Sequence, residues 1–145
     1  MKPYSLEPEV SGGWGKRTEA DTTVHPPIVY KLHYQFDGWL GDSLIESFPC
    51  YLVTSDLADL IISSGCTGAE IRDTEITISE EFIALHEDQV LPNFKWLHVI
   101  GIAGQHDFGI CSNLTLIVSD LALMLLKKKQ LDHCDIEEWS GEQPH

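Results

Sequence analysis

The stretch IVYKLHYQFD, residues 28–37, alternates apolar and polar side chains. Ile28, Tyr30, Leu32, Tyr34 and Phe36 fall on one face, and Lys31, His33, Gln35 and Asp37 on the other, which is the period of a half-buried strand. After the glycine-rich turn DGWLGD, FPCYLV predicts a second, shorter strand. The period then lengthens. Leu57, Leu60 and Ile61 form the stripe of a helix with Ser55 as N-cap, Asp56 and Asp59 near the positive end of its dipole, and Gly65 or Gly68 at its end. AEIRD and TEITIS read as strand pieces with Ile71, Ile76 and Ile78 inward. ISEEFIALHEDQV fits either a strand end with a loop or a short helix, and LPNFKWLHVIG holds a strand over about 95–101. AGQHDFG is a turn, and NLTLIV is the next strand. A second helix is expected from N-cap Ser119, apolar almost all round in its first two turns and closing on Lys127, Lys128 and Lys129. Three cations at a helix C-terminus complement its negative end. CDIEEW closes the pattern as a strand. This order lacks strict βαβ alternation, so it predicts an α+β fold with mostly antiparallel sheet.

Two blocks of this pattern repeat. In YLVTSDLADLIISSGCTGAEIRD and LIVSDLALMLLKKKQLDHCDIEEW, Ser55 meets Ser119, Asp56 meets Asp120, Leu57 meets Leu121 and Ala58 meets Ala122. With one inserted residue, Ile71 meets Ile136. Two copies are too few for a solenoid and imply two helices related by a pseudo-two-fold. Residues 1–26 mix Pro, Gly, Ser, Thr and charge without a period and read as a flexible N-terminal segment. Residues 27–145 read as a single α+β domain.

Charge narrows the function. The chain has 145 residues, with 9 Lys+Arg against 23 Asp+Glu and a formal net charge of -14. Such a field repels nucleic acid and anionic membranes and attracts basic partners, although acidity also serves solubility alone. No apolar export-signal core stands at the N-terminus, and the longest apolar run, LALMLL, is too short to span a bilayer, so a cytoplasmic protein is expected. Cys50, Cys66, Cys111 and Cys134 are widely spaced with no CxxC and read as reduced, mostly buried thiols.

Candidate chemistry is sparse. His106 and Asp107 offer a general base oriented by a carboxylate, the basis of an alternative reading as a small hydrolytic enzyme. Adjacent strand residues point to opposite faces, so ordinary turn residues are the favoured explanation. His133, Cys134 and Asp135, with Cys111 or Cys66, lack the tight paired spacing of zinc ligands, so neither metal nor cofactor is expected. The stretch 70–88 carries Asp73, Glu75, Glu80, Glu81, Glu87 and Asp88 and forms either a solvated face or a surface complementary to a basic protein. In CDIEEW, Ile136 points inward, so Glu137 and Trp139 point outward together, and an aromatic rimmed by acids suits a binding anchor.

VSDLALMLLKKKQLDHCDIEEW, LPNFKWLHVIG and the similar earlier stretch, about two thirds of the chain, together resemble small cytoplasmic immunity proteins of bacterial toxin–immunity pairs, including contact-dependent growth inhibition systems. The resemblance implies a non-enzymatic monomer that binds one cationic toxin domain, often a nuclease, 1:1 and blocks it. The partner-binding residues expected on that reading are Asp73, Glu75, Glu80, Glu81, Glu87, Asp88, Glu137 and Trp139. The paired strand–helix blocks also resemble the Whirly-type architecture of single-stranded nucleic acid binders, but the charge argues against that activity.

Overall fold

A computed structural model describes residues 2–86 and 88–141. Two of its four-stranded sheets have one plan. In the first, the order is β6 (Leu44–Ser47), β7 (Cys50–Thr54), β10 (Phe94–Val99) and β8 (Ala69–Arg72). In the second it is β11 (Phe108–Ile110), β12 (Leu116–Ser119), β1 (Pro3–Glu7) and β13 (Asp135–Glu138). Every pairing in both sheets is antiparallel. Helix α1 (Ser55–Ser64) connects β7 to β8, and α3 (Asp120–Leu126) connects β12 to β13.

The ladders match residue by residue. Leu97 lies opposite Tyr51 and Ile71, and Leu6 lies opposite Leu116 and Ile136. Val53 lies opposite Leu44, and Val118 opposite Phe108. The main core therefore consists of equivalent pairs. Its 14 buried residues are Leu6 with Leu97, Leu44 with Phe108, Tyr51 with Leu116, Val53 with Val118, Leu57 with Ala122, Ala58 with Leu123, and Ile61 with Leu126.

Burial shifts the repeat by one residue from its sequence match. Leu57 is buried but Leu121 is 44% exposed, so Leu57 corresponds to Ala122. Thr54, not Ser55, is the N-cap of α1 and corresponds to Ser119, the N-cap of α3. With that shift Ile71 and Ile136 correspond without an inserted residue. Leu121 and Met124 are both exposed, so α3 presents one face to solvent rather than being covered all round.

The segment expected to be flexible is structured. Pro3–Glu7 lies between β12 and β13 and fills the place that β10 fills in the other sheet. Gly12–Trp14 (β2) and Glu19–Asp21 (β3) are also strands. Tyr4 and Leu6 carry a period of two, but five residues amid Pro, Gly and charge hide it, and both pairing partners lie more than a hundred residues away.

A second layer covers the outer face of the first sheet. There β5 (His33–Phe36) pairs with β2 and, in parallel, with β9 (Glu75–Ile78). Leu32, Tyr34 and Phe36 pack on Ile45, Leu52, Phe94 and Trp96. The expected continuous strand 28–37 breaks at Leu32. Ile28–Lys31 (β4) forms its own ribbon with β3, and its phase is inverted, with Val29 buried and Ile28 and Tyr30 exposed. Ile78, expected inward, is also exposed. The ambiguous ISEEFIALHEDQV contains a short helix, α2 (Glu80–Leu85), capped by Ser79 and anchored by Phe82.

The two helical connections meet. Lys129, just past α3, pairs with Asp56 in the first turn of α1 at 3.1 Å. The lysine triplet lies beyond the helix rather than forming its last turn, and its amides donate back to Leu123, Leu125 and Leu126 carbonyls. Two aspartates fasten the segments that follow the two helices. Asp42, fully buried, accepts from the amides of Asp132 and His133 after α3, at 2.8 and 2.7 Å. Asp107 accepts from the Thr67 amide after α1 at 2.9 Å. Among the described residues no helix is long and apolar enough to cross a membrane.

Candidate functional site

The proposed base and its orienting carboxylate have separate structural partners. His106 Nδ1 accepts from the Ile102 amide at 2.8 Å and closes the turn. Asp107 accepts from Thr67 and, at 2.7 Å, from the hydroxyl of Ser119, which in turn accepts from Ala122 N at the start of α3. Burial pushes the Asp107 carboxyl up, but hydrogen bonds from Ser119 and Thr67 outweigh it and hold the group below the ordinary carboxylate range. Among the described residues no group of three or more His, Cys, Asp or Glu converges as a metal ion requires.

The acids expected to form one surface are dispersed. Asp73 pairs with Lys95 at 2.7 Å, and Glu75 pairs with Arg17. Glu80 and Glu81 are exposed in the first turn of α2, and Asp88 is exposed beyond it. Glu87 lies outside the described residues. Glu137 is exposed on β13, in a different sheet from Glu75. Trp139 is half-buried rather than free: a Cβ on Gly104 would come within 3.0 Å of its ring.

Four carboxylates and a histidine line one groove of about 560 Å³: Glu7, Glu9, Glu46, Asp135 and His133, with apolar walls that include Val10, Leu40, Phe48 and Leu114. Glu9 is buried and accepts from the Leu40 and Asp42 amides, whereas Glu7 and Asp135 are exposed. Glu7 and Asp135 are cross-strand partners on β1 and β13. Glu46 lies opposite Tyr51 and shares a hydrogen bond with it. Burial pushes the Glu46 carboxyl up, the Tyr51 bond partly offsets this, and Glu7 adds repulsion. Among the described residues no lysine or arginine pairs with Glu7, Glu46 or Asp135.

No family model matches this chain, and no curated protein matches it either. Its function therefore rests on the geometry of the surface. That surface continues past the groove. Phe48 and Leu114 also line a neighbouring cavity of about 470 Å³, walled by Pro26, Pro27, Val29, Tyr30, Cys50 and Trp96. Arg72 lies over the Trp96 ring at 5.6 Å and is paired with Glu70. His98 Nδ1 is buried and lies 3.5 Å from Glu70, beyond good hydrogen-bond reach. Burial also pushes the Cys50 thiol up to about 12, so it stays protonated.

Leu114 stands between groove and cavity with φ at 66°, a left-handed conformation that costs a leucine about 1 kcal/mol or more. Sequence reasoning missed this surface because Glu7 lies in the stretch read as flexible and Glu46 in a strand not predicted. The one legible signal was the Tyr4–Leu6 alternation, which sets Glu7 on the opposite face from Leu6.

Proposed function

We propose that the chain is an immunity-type binding protein that holds a basic protein partner, a cationic toxin domain of the nuclease kind, and neutralises it in the cytoplasm as a 1:1 complex. The observation that carries this reading is the groove on which Glu7, Glu46 and Asp135 lie without a lysine or arginine partner among the described residues, in a chain of net charge -14. Carboxylates along an apolar groove, with Glu46 half-buried among them, favour a lysine or arginine that brings both the opposite charge and an apolar stem for the walls. The wider negative field speeds encounter with such a partner, and the close contacts slow its release. Carboxylates lying where substrate phosphates would approach a nuclease inhibit it by occupying its cationic surface. The structural roles of His106 and Asp107 favour binding over hydrolysis.

The test is co-expression with the C-terminal domain of the protein encoded immediately upstream, together with calorimetry of the purified pair. The expected result is survival, a 1:1 complex, and an association rate that falls steeply with salt. Glu7→Gln with Asp135→Asn should weaken the complex at least tenfold. No complex with that domain, or an affinity indifferent to both substitutions, overturns the reading.

A further inference from the structure

The groove and the cavity share a wall, and their chemistries complement each other. The groove offers negative charge along an apolar channel. The cavity offers prolines, Tyr30 and Trp96, with the Arg72 guanidinium 5.6 Å over the indole. Flat apolar and aromatic walls suit a ring, which packs by offset or edge contacts and loses little rotamer freedom on binding. The volume of about 470 Å³ lies in the range of pockets that enclose a whole ring system. Aromatic and arginine anchors dominate the energetics of protein interfaces.

Resting on the reading above, we propose that the cavity takes an aromatic side chain of the basic partner while the groove takes a lysine or arginine from the same short segment, with Phe48 and Leu114 standing between them. Charge complementarity selects this occupant. A free apolar ligand would draw nothing from the carboxylates of the groove, and a second copy of a chain with net charge -14 is repelled.

Three exposed features fit this role. Phe48 is half-exposed although it borders both cavities, so an incoming segment buries it. Tyr30 and Ile28, exposed by the phase inversion of β4, form part of the same rim. Leu114 is held there in a conformation that leucine rarely adopts.

The experiment titrates the ¹⁵N-labelled full chain with four sets of capped glycine-based peptides. One set carries Trp and Lys, placed one to three residues apart. The others carry Trp with Gln, Ala with Lys, and Ala with Gln. The expected result is that the Trp–Lys peptide with the best spacing binds at least tenfold more tightly than either single-anchor peptide. It should shift both the Trp96 indole signal and the Glu46 and Leu114 amides. Ile28→Trp, at an exposed position on the cavity rim, should abolish the Trp contribution and leave the Lys contribution in place. Glu7→Gln with Asp135→Asn should do the reverse.

If the Ala–Lys peptide binds as tightly as the Trp–Lys peptide, the cavity inference fails while the basic-partner reading stands. If the Trp–Gln peptide binds as tightly and without salt dependence, the cavity is a site for apolar ligands and the coupling is overturned. Absence of binding by every peptide at millimolar concentration, or a concentration-dependent dimer in sedimentation whose shifts cover the cavity, also overturns it.

Discussion

Asp107→Ala asks whether the turn before β11 is a clasp or half of a catalytic pair. The carboxylate receives the Thr67 amide at 2.9 Å, the Thr67 hydroxyl at 3.2 Å and the Ser119 hydroxyl at 2.7 Å. Hydrogen bonds to a charged acceptor are each worth about 1.5–3 kcal/mol net. These three share one partly exposed group and are not additive, so the expected loss is about 2–3 kcal/mol, or roughly 5–10 °C in Tm for a chain of this size. Asp107→Asn keeps the shape and one acceptor oxygen and should lose about 1–2 kcal/mol. The pH dependence is a second signature. The folded carboxyl titrates below its unfolded value, so its stabilisation is complete above about pH 4 and is lost as pH falls through the folded value. Urea unfolding followed by circular dichroism at pH 7 and at about pH 2–3 measures both. A loss under about 0.5 kcal/mol, or a wild-type advantage that is equal at both pH values, refutes the clasp.

His106→Ala should leave protection of toxin-producing cells intact, because its ring serves only the Ile102 turn; a folded variant that fails to protect would favour hydrolysis. Glu46→Gln should raise stability at pH 7, since burial makes the ionised form costly as pH rises past the ordinary glutamate value, and it should weaken partner binding several-fold. Chemical denaturation and titration calorimetry read the two effects. Gly15→Ala should cost about 1–3 kcal/mol, because a Cβ there would lie 2.1 Å from the buried His33 ring. Burial depresses the His33 pKa below 6.5, so its share of stability is full above pH 6.5 and fades as pH falls toward the folded value; His33→Gln should flatten the denaturation midpoint over that window. Burial pushes the Cys50 and Cys134 thiols up to about 12, so iodoacetamide at pH 8 should label both far more slowly in the native protein than in urea, as mass spectrometry would show.

Local signals in this sequence were dependable where one element explains them. The Ser119 cap, the Gly65 stop and the inward faces of Leu32, Tyr34 and Phe36 follow from neighbours a few residues away. The repeat was visible too, but its register was set by identity at Ser-Asp-Leu-Ala, whereas packing aligns burial, so Leu121 had to face solvent. Long-range pairing left no local trace. Pro3–Glu7 is a strand because β12 and β13 satisfy both its edges, and Val29 turns inward because β4 leaves the path of β5. The site suffered most from this. Acids adjacent along 70–88 drew attention but are spread over a loop, a strand and a helix. Glu7, Glu46 and Asp135, distant in sequence, line one groove from three strands of two sheets.

The position of β1 has a consequence for the wiring of the chain. In the half around α1, β10 follows β8 after one excursion through β9 and α2. In the half around α3, the strand beside β13 comes from the other end of the polypeptide, and Trp139 N donates to the Pro3 carbonyl at 3.1 Å. A permuted chain joined from β13 into β1, and opened between β10 and β11, would carry two contiguous copies of one unit. In the natural order, residues 44–99 suffice to close the first sheet, whereas the second must bring residues 6 and 136 together. Closing so long a loop adds little thermodynamic cost but slows the search, so the pairing of β1 with β13 is the longest-range step in assembling the core that both halves share. Once paired, β1 and β13 are bolted to each other through the core, and loosening either strand opens the same sheet.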